Sequence, residues 1–243
     1  MITPPIGPRL SVVVPALNEA ASLPGLLADL RGLAPVPEII VVDGGSSDAT
    51  CSVARELGAR VLPAPRGRGS QLRIGAAAAN APLLCFLHAD VRLDPPAVRQ
   101  IERLVESRPP GAYAFRLAID REGLAYRIVE WGANVRSRWA GLPYGDQGLL
   151  VRREDYDAAG GYPPAPLMED VALVRALRRT TRIRILPAAL RVSARRWDRD
   201  GVIRRTWANW RLLLAYLRGV PPERLALRYR PFGVAPPAGE PPA

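Results

Sequence analysis

The sequence predicts an α/β protein whose core is a mainly parallel β-sheet covered by helices. Apolar, β-branched runs alternate with stretches that have leucines or alanines at helical spacing, which is the order of repeated β-α-β units. The runs are continuously apolar, as is typical of strands buried on both faces. A chain of 243 residues, 48% of them hydrophobic, is long enough for one large domain. We therefore expect right-handed crossovers and ligand-binding groups at the carboxyl edge of the sheet.

In the first part of the chain, four strands alternate with three helices. The strands are predicted over 10–16, 38–43, 59–64 and 82–87, and the helices over 18–33, 48–58 and 67–81. Pro15 ends the first strand in this interpretation, Asp48 is the expected N-cap of the second helix, and Gly58 lies just past its end.

The second part of the chain continues with mixed elements. We expect a strand over 111–119, a loop, strand and short helix over 144–162, a helix over 166–179 and a strand-like segment before Trp197. Residues 1–200 are expected to form one domain, residues 201–230 an amphipathic helical segment, and residues 231–243 a Pro-rich, disordered tail.

The amphipathic segment has an apolar stripe with basic residues along one side. The stripe comprises Ile203, Trp207, Trp210, Leu214 and Leu217, and the flanking residues are Arg204, Arg211 and Arg218. This pattern fits a helix that lies at an anionic membrane surface. It also fits a helix packed on its own domain or on a partner helix, and the three interpretations stay open at this point.

The net charge of +11 could indicate a protein that binds nucleic acid, but the type of the basic residues weakens this interpretation. All 34 basic residues are arginine, which indicates a compositional bias of the coding sequence rather than selection at each site. The N-terminus lacks the layout of a signal peptide, and no apolar run is long enough for a membrane span. We expect a cytoplasmic protein that does not bind nucleic acid, with a contact to the inner face of the cell membrane as the remaining option.

Polar residues follow three of the predicted strands at the points where the strands end. They are Glu19, Asp43, and the pair His88 and Asp90. Because parallel strands end at one edge, these side chains should converge on a ligand site. Each has an ordinary structural alternative, since Glu19 can favour a helix N-terminus and Asp43 can begin an Asx-turn. Turn chemistry alone does not require a carboxylate at all three ends.

Four segments together resemble the family 2 glycosyltransferases, which have the GT-A fold and take sugars from nucleotide diphosphates. They are SVVVPALNEAASL, EIIVVDGGSSDAT, LLCFLHADVRLDP and LMEDVALVRALRR, in the order of that family. The strings HAD, GDQG and MEDV are most similar to a compact bacterial subgroup associated with arsenosugar biosynthesis. The resemblance implies that Pro15, Glu19 and Asp43 contact the nucleoside. Gly44 departs from the family pattern, in which a second aspartate often follows.

The resemblance also implies a divalent cation, Mg²⁺ or Mn²⁺, bound by Asp90. A leaving diphosphate develops negative charge, which a hard cation with oxygen ligands neutralises. His88 stands where the family normally has an aspartate. An imidazole suits Mn²⁺ better than Mg²⁺, or it can donate a hydrogen bond to the nucleotide, so His88 is placed with the nucleotide-binding residues.

Further site residues come from the loops and from the second part of the chain. Arg66 lies in a Gly-rich basic loop that can wrap a diphosphate. Glu169 and Asp170 are the catalytic candidates, and the resemblance implies that Asp170 is the base of an inverting transfer. The remaining candidates for the cleft are Asp146, Gln147, Arg195, Arg196 and Trp197.

The sequence therefore predicts an inverting glycosyltransferase that uses a nucleotide-diphosphate sugar and a divalent cation. The acceptor is a hydroxyl group on a lipid or a small metabolite, and the sequence leaves its identity open. The first alternative is a nucleotidyltransferase of related fold, although PALNEAASLPG lacks a Gly-rich basic loop for a triphosphate. The second is a non-catalytic basic protein that binds membrane or nucleic acid.

Overall fold

The structure is a computed structural model that describes residues 7–227. Its centre is an eight-stranded sheet of order β3-β2-β1-β4-β7-β6-β8-β5. The strands are β1 (Leu10–Ala16), β2 (Glu38–Asp43), β3 (Arg60–Pro63), β4 (Leu83–Phe86), β5 (Val91–Leu93), β6 (Ala112–Ile119), β7 (Leu149–Arg152) and β8 (Ile183–Val192). The predicted tail and residues 228–230 lie outside the described residues.

Helices cover both faces of this sheet. They are α1 (Leu23–Arg31), α2 (Thr50–Glu56), α3 (Arg68–Ala78), α4 (Pro95–Ser107), α5 (Leu124–Ala140), α6 (Arg153–Ala158), α7 (Glu169–Thr180), α8 (Arg195–Asp200), α9 (Val202–Leu217) and α10 (Pro222–Ala226). A short 3-10 turn, Gly145–Gln147, precedes β7. The predicted α/β class with a mainly parallel sheet is confirmed in β1, β2, β3 and β4, which pair in parallel.

Two local predictions differ from the structure. The strand β1 continues through Pro15, whose Cα pairs with that of Val42. The helix α2 begins at Thr50 instead of after Asp48. Asp48 accepts the amide hydrogen of Thr50, the first residue of α2, at 2.9 Å and that of Ala20 at 3.2 Å, so its carboxylate links the start of this helix to the loop after β1.

The pairing of β4 with β7 brings the two parts of the chain together. These strands run antiparallel, with Phe86 opposite Leu149 and Cys85 opposite Leu150. The carboxyl end of β4, where His88 follows, therefore lies beside the amino end of β7, which Asp146 precedes. The HAD and GDQG segments meet because of this register.

Candidate active site

The carboxyl edge of the sheet opens on a cavity of about 300 Å³, which we call the strand-end cavity. Its lining includes Pro15, Glu19, Arg66, Arg68, His88 and Arg196. A second, smaller pocket of about 90 Å³ contains Asp170, the expected catalytic base, and we call it the base pocket. Its lining also includes Arg68, His88, Tyr144, Asp146 and Arg196. The two spaces adjoin, and we refer to them together as the cleft; the residues that line both are Arg68, His88, Leu167 and Arg196.

Arg195 connects two of the predicted carboxylates. Its guanidinium forms an ion pair with Glu19, and its Nη2 lies 3.4 Å from Asp90 Oδ2. Arg196 approaches the same oxygen at 3.8 Å. Burial raises the pKa of Glu19, although Arg195 opposes the shift. Burial also disfavours ionised Asp90, but the positive charges of Arg196 and Arg195 outweigh it and lower the pKa of this carboxyl.

His88 lies where the two spaces of the cleft meet. Burial, together with the positive charges of Arg68 and Arg196, lowers the pKa of its imidazole to about 3. The ring is therefore neutral at physiological pH and keeps one nitrogen lone pair. Arg68 Nη1 lies 3.5 Å from His88 Nε2. A neutral imidazole at this position can accept a hydrogen bond or act as a ligand to a cation.

The residues around Asp90 fit a divalent cation that takes most of its ligands from a bound diphosphate. Asp90 offers a carboxylate and His88 a neutral imidazole, and this pair of oxygen and nitrogen donors suits Mn²⁺. Across residues 7–227, no group of three or more His, Cys, Asp or Glu side chains is arranged to hold a metal ion. Phosphate oxygens would therefore have to complete the coordination.

Asp43 lies at the end of β2, and its carboxylate forms the turn that was its structural alternative. It accepts the amide hydrogens of Gly45 and Ser46 at 3.1 Å each. Gly44, beside it, leaves space for Gln71, whose Nε2 donates to the carbonyls of Ala16 and Val42. A Cβ at position 44 would lie 3.0 Å from that Nε2, so a larger residue here would displace Gln71.

Asp170 lies at the start of α7 and reaches into the base pocket. Its Oδ2 accepts the amide hydrogen of Gly145 at 2.9 Å, and its Oδ1 accepts that of Val171 at 2.8 Å. Met168 precedes the helix in a left-handed conformation with φ of 62°, which is unusual for a residue other than glycine. These contacts hold the carboxylate at the pocket wall, where it can accept a proton.

Two predicted site residues are placed differently. Glu169 was expected next to Asp170 as a catalytic carboxylate, but it is 1% exposed and forms a 2.8 Å ion pair with Arg68. It positions Arg68 and cannot reach a substrate. Gln147 was expected in the cleft, but it is fully buried and donates to the carbonyl of Phe115 at 2.9 Å. Ser137 donates to its Oε1, so Gln147 fixes the turn and leaves the cleft to Asp146.

The carboxylate of Asp146 is unfavourably placed when ionised, because its Oδ1 is buried and has no hydrogen-bond partner. Burial raises the pKa of this carboxyl, with Arg136 opposing the shift. The unfolded chain therefore loses this proton at a lower pH than the folded protein does. Stability from this group is present at low pH and is lost as pH rises through the folded pKa.

We expect the substitution Asp146→Asn to stabilise the protein increasingly as pH rises above about 4, by at most about 1.4 kcal/mol per pH unit, until the pH passes the raised pKa of the folded state. Urea unfolding of the wild type and the variant at a series of pH values measures the difference. Asp157→Asn, which changes an exposed carboxylate on α6, is the matched control. A stability difference that does not change with pH would contradict the assignment.

The sequence interpretation named Arg68 only as part of the basic loop of Arg66, and it missed other residues of the cleft. Arg68, the first residue of α3, contacts both His88 and Glu169. Its position two residues after Arg66 in the same basic loop was the available signal. Arg205 and Asn209 also line the base pocket from α9, and no local pattern indicated that this helix reaches the site. Trp197 is buried at 9% exposure and lines a neighbouring groove with Asp146.

Solved structures of sugar-transferring enzymes have the same fold. The mannosyltransferase PcManGT from Pyrobaculum calidifontis, in complex with GDP-Man and Mn²⁺, superposes with a TM-score of 0.61 at 19% identity, over 94% of this chain and 66% of that one. Glucosyl-3-phosphoglycerate synthase from Mycobacterium tuberculosis gives a TM-score of 0.59 at 23% identity, over 88% of this chain and 80% of that one. Staphylococcus aureus TarS gives 0.61, and the chain spans 64% of it.

Sequence comparison gives the family directly. An uncharacterized glycosyltransferase of Mycobacterium tuberculosis is 36% identical over 174 residues, which are 65% of this chain and 76% of that protein. The 4,4'-diaponeurosporenoate glycosyltransferase of Staphylococcus haemolyticus is 30% identical over 129 residues, 50% of this chain and 34% of that protein. The model of glycosyl transferase family 2 matches residues 11–163. The chain belongs to glycosyltransferase family 2 and has the GT-A fold of these enzymes.

Proposed function

We propose that the protein transfers a sugar, with inversion, from a nucleotide-diphosphate sugar to an acceptor hydroxyl group. One observation carries the proposal: the carboxylate of Asp170 lines the same pocket as two guanidinium groups and a neutral imidazole. The guanidinium groups belong to Arg68 and Arg196, and the imidazole belongs to His88. Such a transfer requires a proton acceptor close to groups that can neutralise the charge of a leaving diphosphate.

The strand-end cavity accommodates the donor. Its volume of about 300 Å³, joined to the base pocket, is at the lower end of the size of small-molecule sites. In the proposed arrangement, Pro15, Glu19 and Asp43 contact the nucleoside. Arg66, at the rim, and Arg68, at the start of α3, face the phosphates. Arginine suits this task because its planar guanidinium donates several hydrogen bonds to phosphate oxygens.

Asp90 and His88 are the residues that would hold a divalent cation, with Mn²⁺ or Mg²⁺ as candidates. When bound, the cation would neutralise negative charge on the leaving diphosphate. Arg195 and Arg196 approach Asp90 at 3.4 and 3.8 Å, so the same carboxylate also orders the cationic side chains of this region. The solved relative with GDP-Man and Mn²⁺ supports the choice of cation.

In the transfer step, the acceptor oxygen forms a bond to the anomeric carbon of the sugar. The bond from that carbon to the phosphate oxygen breaks, and the nucleoside diphosphate leaves with the electron pair. Asp170 accepts the proton of the acceptor hydroxyl, because a hydroxyl group is a poor nucleophile until this proton is removed. The amide of Gly145 keeps Asp170 Oδ2 in place at 2.9 Å. Attack on the face opposite the leaving group inverts the anomeric centre.

A panel of nucleotide sugars tests the proposal, with water as the acceptor and with Mn²⁺ or Mg²⁺ present. We expect slow release of the nucleoside diphosphate from at least one donor, and NMR should detect the inverted anomer first. Failure to bind or turn over any donor would contradict the proposal. Release of pyrophosphate from a nucleoside triphosphate would favour a nucleotidyltransferase instead.

A further inference from the structure

Two helices present a large apolar face to the solvent, which we name the α5–α9 face. Its members on α5 are Leu124, Ile128, Trp131 and Trp139, and those on α9 are Ile203, Trp207, Trp210, Leu214 and Leu217. The predicted stripe of α9 thus lies at the surface, where Ile203 and Trp207 are mostly exposed and the other three members are about half-buried. Leu213, on another side of α9, is the residue that is buried at 2% exposure.

Tryptophan dominates the exposed area of this face. Four of the five tryptophans of the chain belong to it, with exposed fractions of 69% for Trp131, 82% for Trp139, 65% for Trp207 and 39% for Trp210. These four side chains alone expose on the order of 500 Å². A contiguous apolar patch of this size on a water-soluble domain marks an interaction surface.

The two helices form one surface, because a groove of about 280 Å³ runs between them. Ile128 and Trp131 line it from α5, and Trp210 lines it from α9. The groove continues inward to Tyr144 and Asp146, which also line the base pocket. The apolar face therefore surrounds an opening that leads towards the site of chemistry.

The charges on the two helices themselves are mainly positive. The helix α9 contains Arg204, Arg205 and Arg211 and no acidic residue. On α5, the acidic Glu130 is turned inward, where it accepts the amide hydrogen of Ile119 and pairs with Arg127. An apolar face rich in tryptophan and flanked by arginines complements an anionic lipid surface, where indole rings occupy the headgroup region.

We propose that the α5–α9 face docks the protein on an anionic membrane, with both helices lying in the plane of the interface. Among the described helices, none is long and apolar enough to cross a bilayer, so docking is peripheral. The tryptophans and leucines enter the headgroup region, and Arg204 and Arg211 face lipid phosphates. This proposal does not depend on the identity of the sugar, and its test needs no catalysis.

Cosedimentation of the full chain with vesicles tests the docking. We expect binding to vesicles of phosphatidylcholine and phosphatidylglycerol in equal parts, and much weaker binding to phosphatidylcholine alone. The double variant Trp131→Ser/Trp207→Ser should lower the partition coefficient about tenfold or more, because both indoles lose their interfacial contact. Val36→Ser, which removes an apolar side chain 60% exposed elsewhere, is the matched control and should bind normally.

The electrostatic part has a separate variant and control. Arg204→Ala and Arg211→Ala should each weaken binding about fivefold, and Arg99→Ala on α4 should not. Circular dichroism checks that the folds are retained. Equal binding to both vesicle types, or unchanged binding of the tryptophan variant, would overturn the proposal. So would a monomer–dimer equilibrium that requires the same tryptophans without vesicle binding, since the face would then join two copies of the chain.

Discussion

Replacement of Asp170 by asparagine should lower kcat by about 10²–10⁴-fold, while the dissociation constant of the nucleotide-sugar donor stays nearly unchanged. Asparagine keeps the shape of the side chain, but its single amide oxygen can accept only one of the two hydrogen bonds that Gly145 and Val171 donate to the separate carboxylate oxygens. It cannot accept the proton of an attacking hydroxyl group. Steady-state transfer or donor hydrolysis measures kcat, and calorimetric titration measures donor binding.

Two controls make the Asp170 result specific. Asp157→Asn changes an exposed carboxylate on α6 and should leave kcat as in the wild type. Glu169→Gln removes the charge that pairs with Arg68 at 2.8 Å, and we expect it to raise the KM for the donor more than it lowers kcat. If Asp170→Asn retains full kcat, or if Glu169→Gln abolishes kcat without affecting donor binding, the assignment of the base to Asp170 is wrong.

Replacement of Asp90 by asparagine should lower kcat/KM by about 10²-fold or more. The variant loses the carboxylate that would hold the cation, and it leaves Arg195 and Arg196 without this negative charge. The loss of the cation weakens the stabilisation of a leaving diphosphate. A titration with Mn²⁺ at saturating donor should require far more metal for the same rate than the wild type requires.

The matched control for this experiment is Asp120→Asn, which changes a carboxylate that is 62% exposed and pairs with Arg191. It should leave the Mn²⁺ dependence unchanged. The substitution His88→Asp separates the two candidate ligands, since a second carboxylate should shift preference from Mn²⁺ towards Mg²⁺. A wild-type Mn²⁺ titration curve for Asp90→Asn would remove the cation assignment.

Local sequence patterns were sufficient to predict the strands that form the strand-end cavity. Continuous apolar runs identified β1, β2 and β4, because strands in the centre of a sheet are buried on both faces. Their ends then located Glu19 and His88 at one edge, where both line the strand-end cavity. These predictions depended only on the order of neighbouring elements along the chain.

The contacts that the sequence did not predict join segments that are far apart along the chain. Arg195 pairs with Glu19 across 176 positions, and nothing in either segment indicates the partner. Glu169 and Asp170 are adjacent, but only the position of Arg68 decides which of them is buried. Gln147 is likewise recruited inward by Ser137 and the carbonyl of Phe115. Pairing of this kind follows from tertiary packing and leaves no periodic signal.

The antiparallel pairing of β4 with β7 sets the distance between two segments of the cleft. His88 follows β4 and Asp146 precedes β7, so the register that pairs Phe86 with Leu149 sets the distance between these two side chains. A slip of two residues would preserve the inward-facing side chains yet displace one segment by about 7 Å. Such a slip would separate His88 from Asp146 without altering either group chemically. The hydrogen-bond ladder thus fixes the width of the cleft between the HAD and GDQG segments.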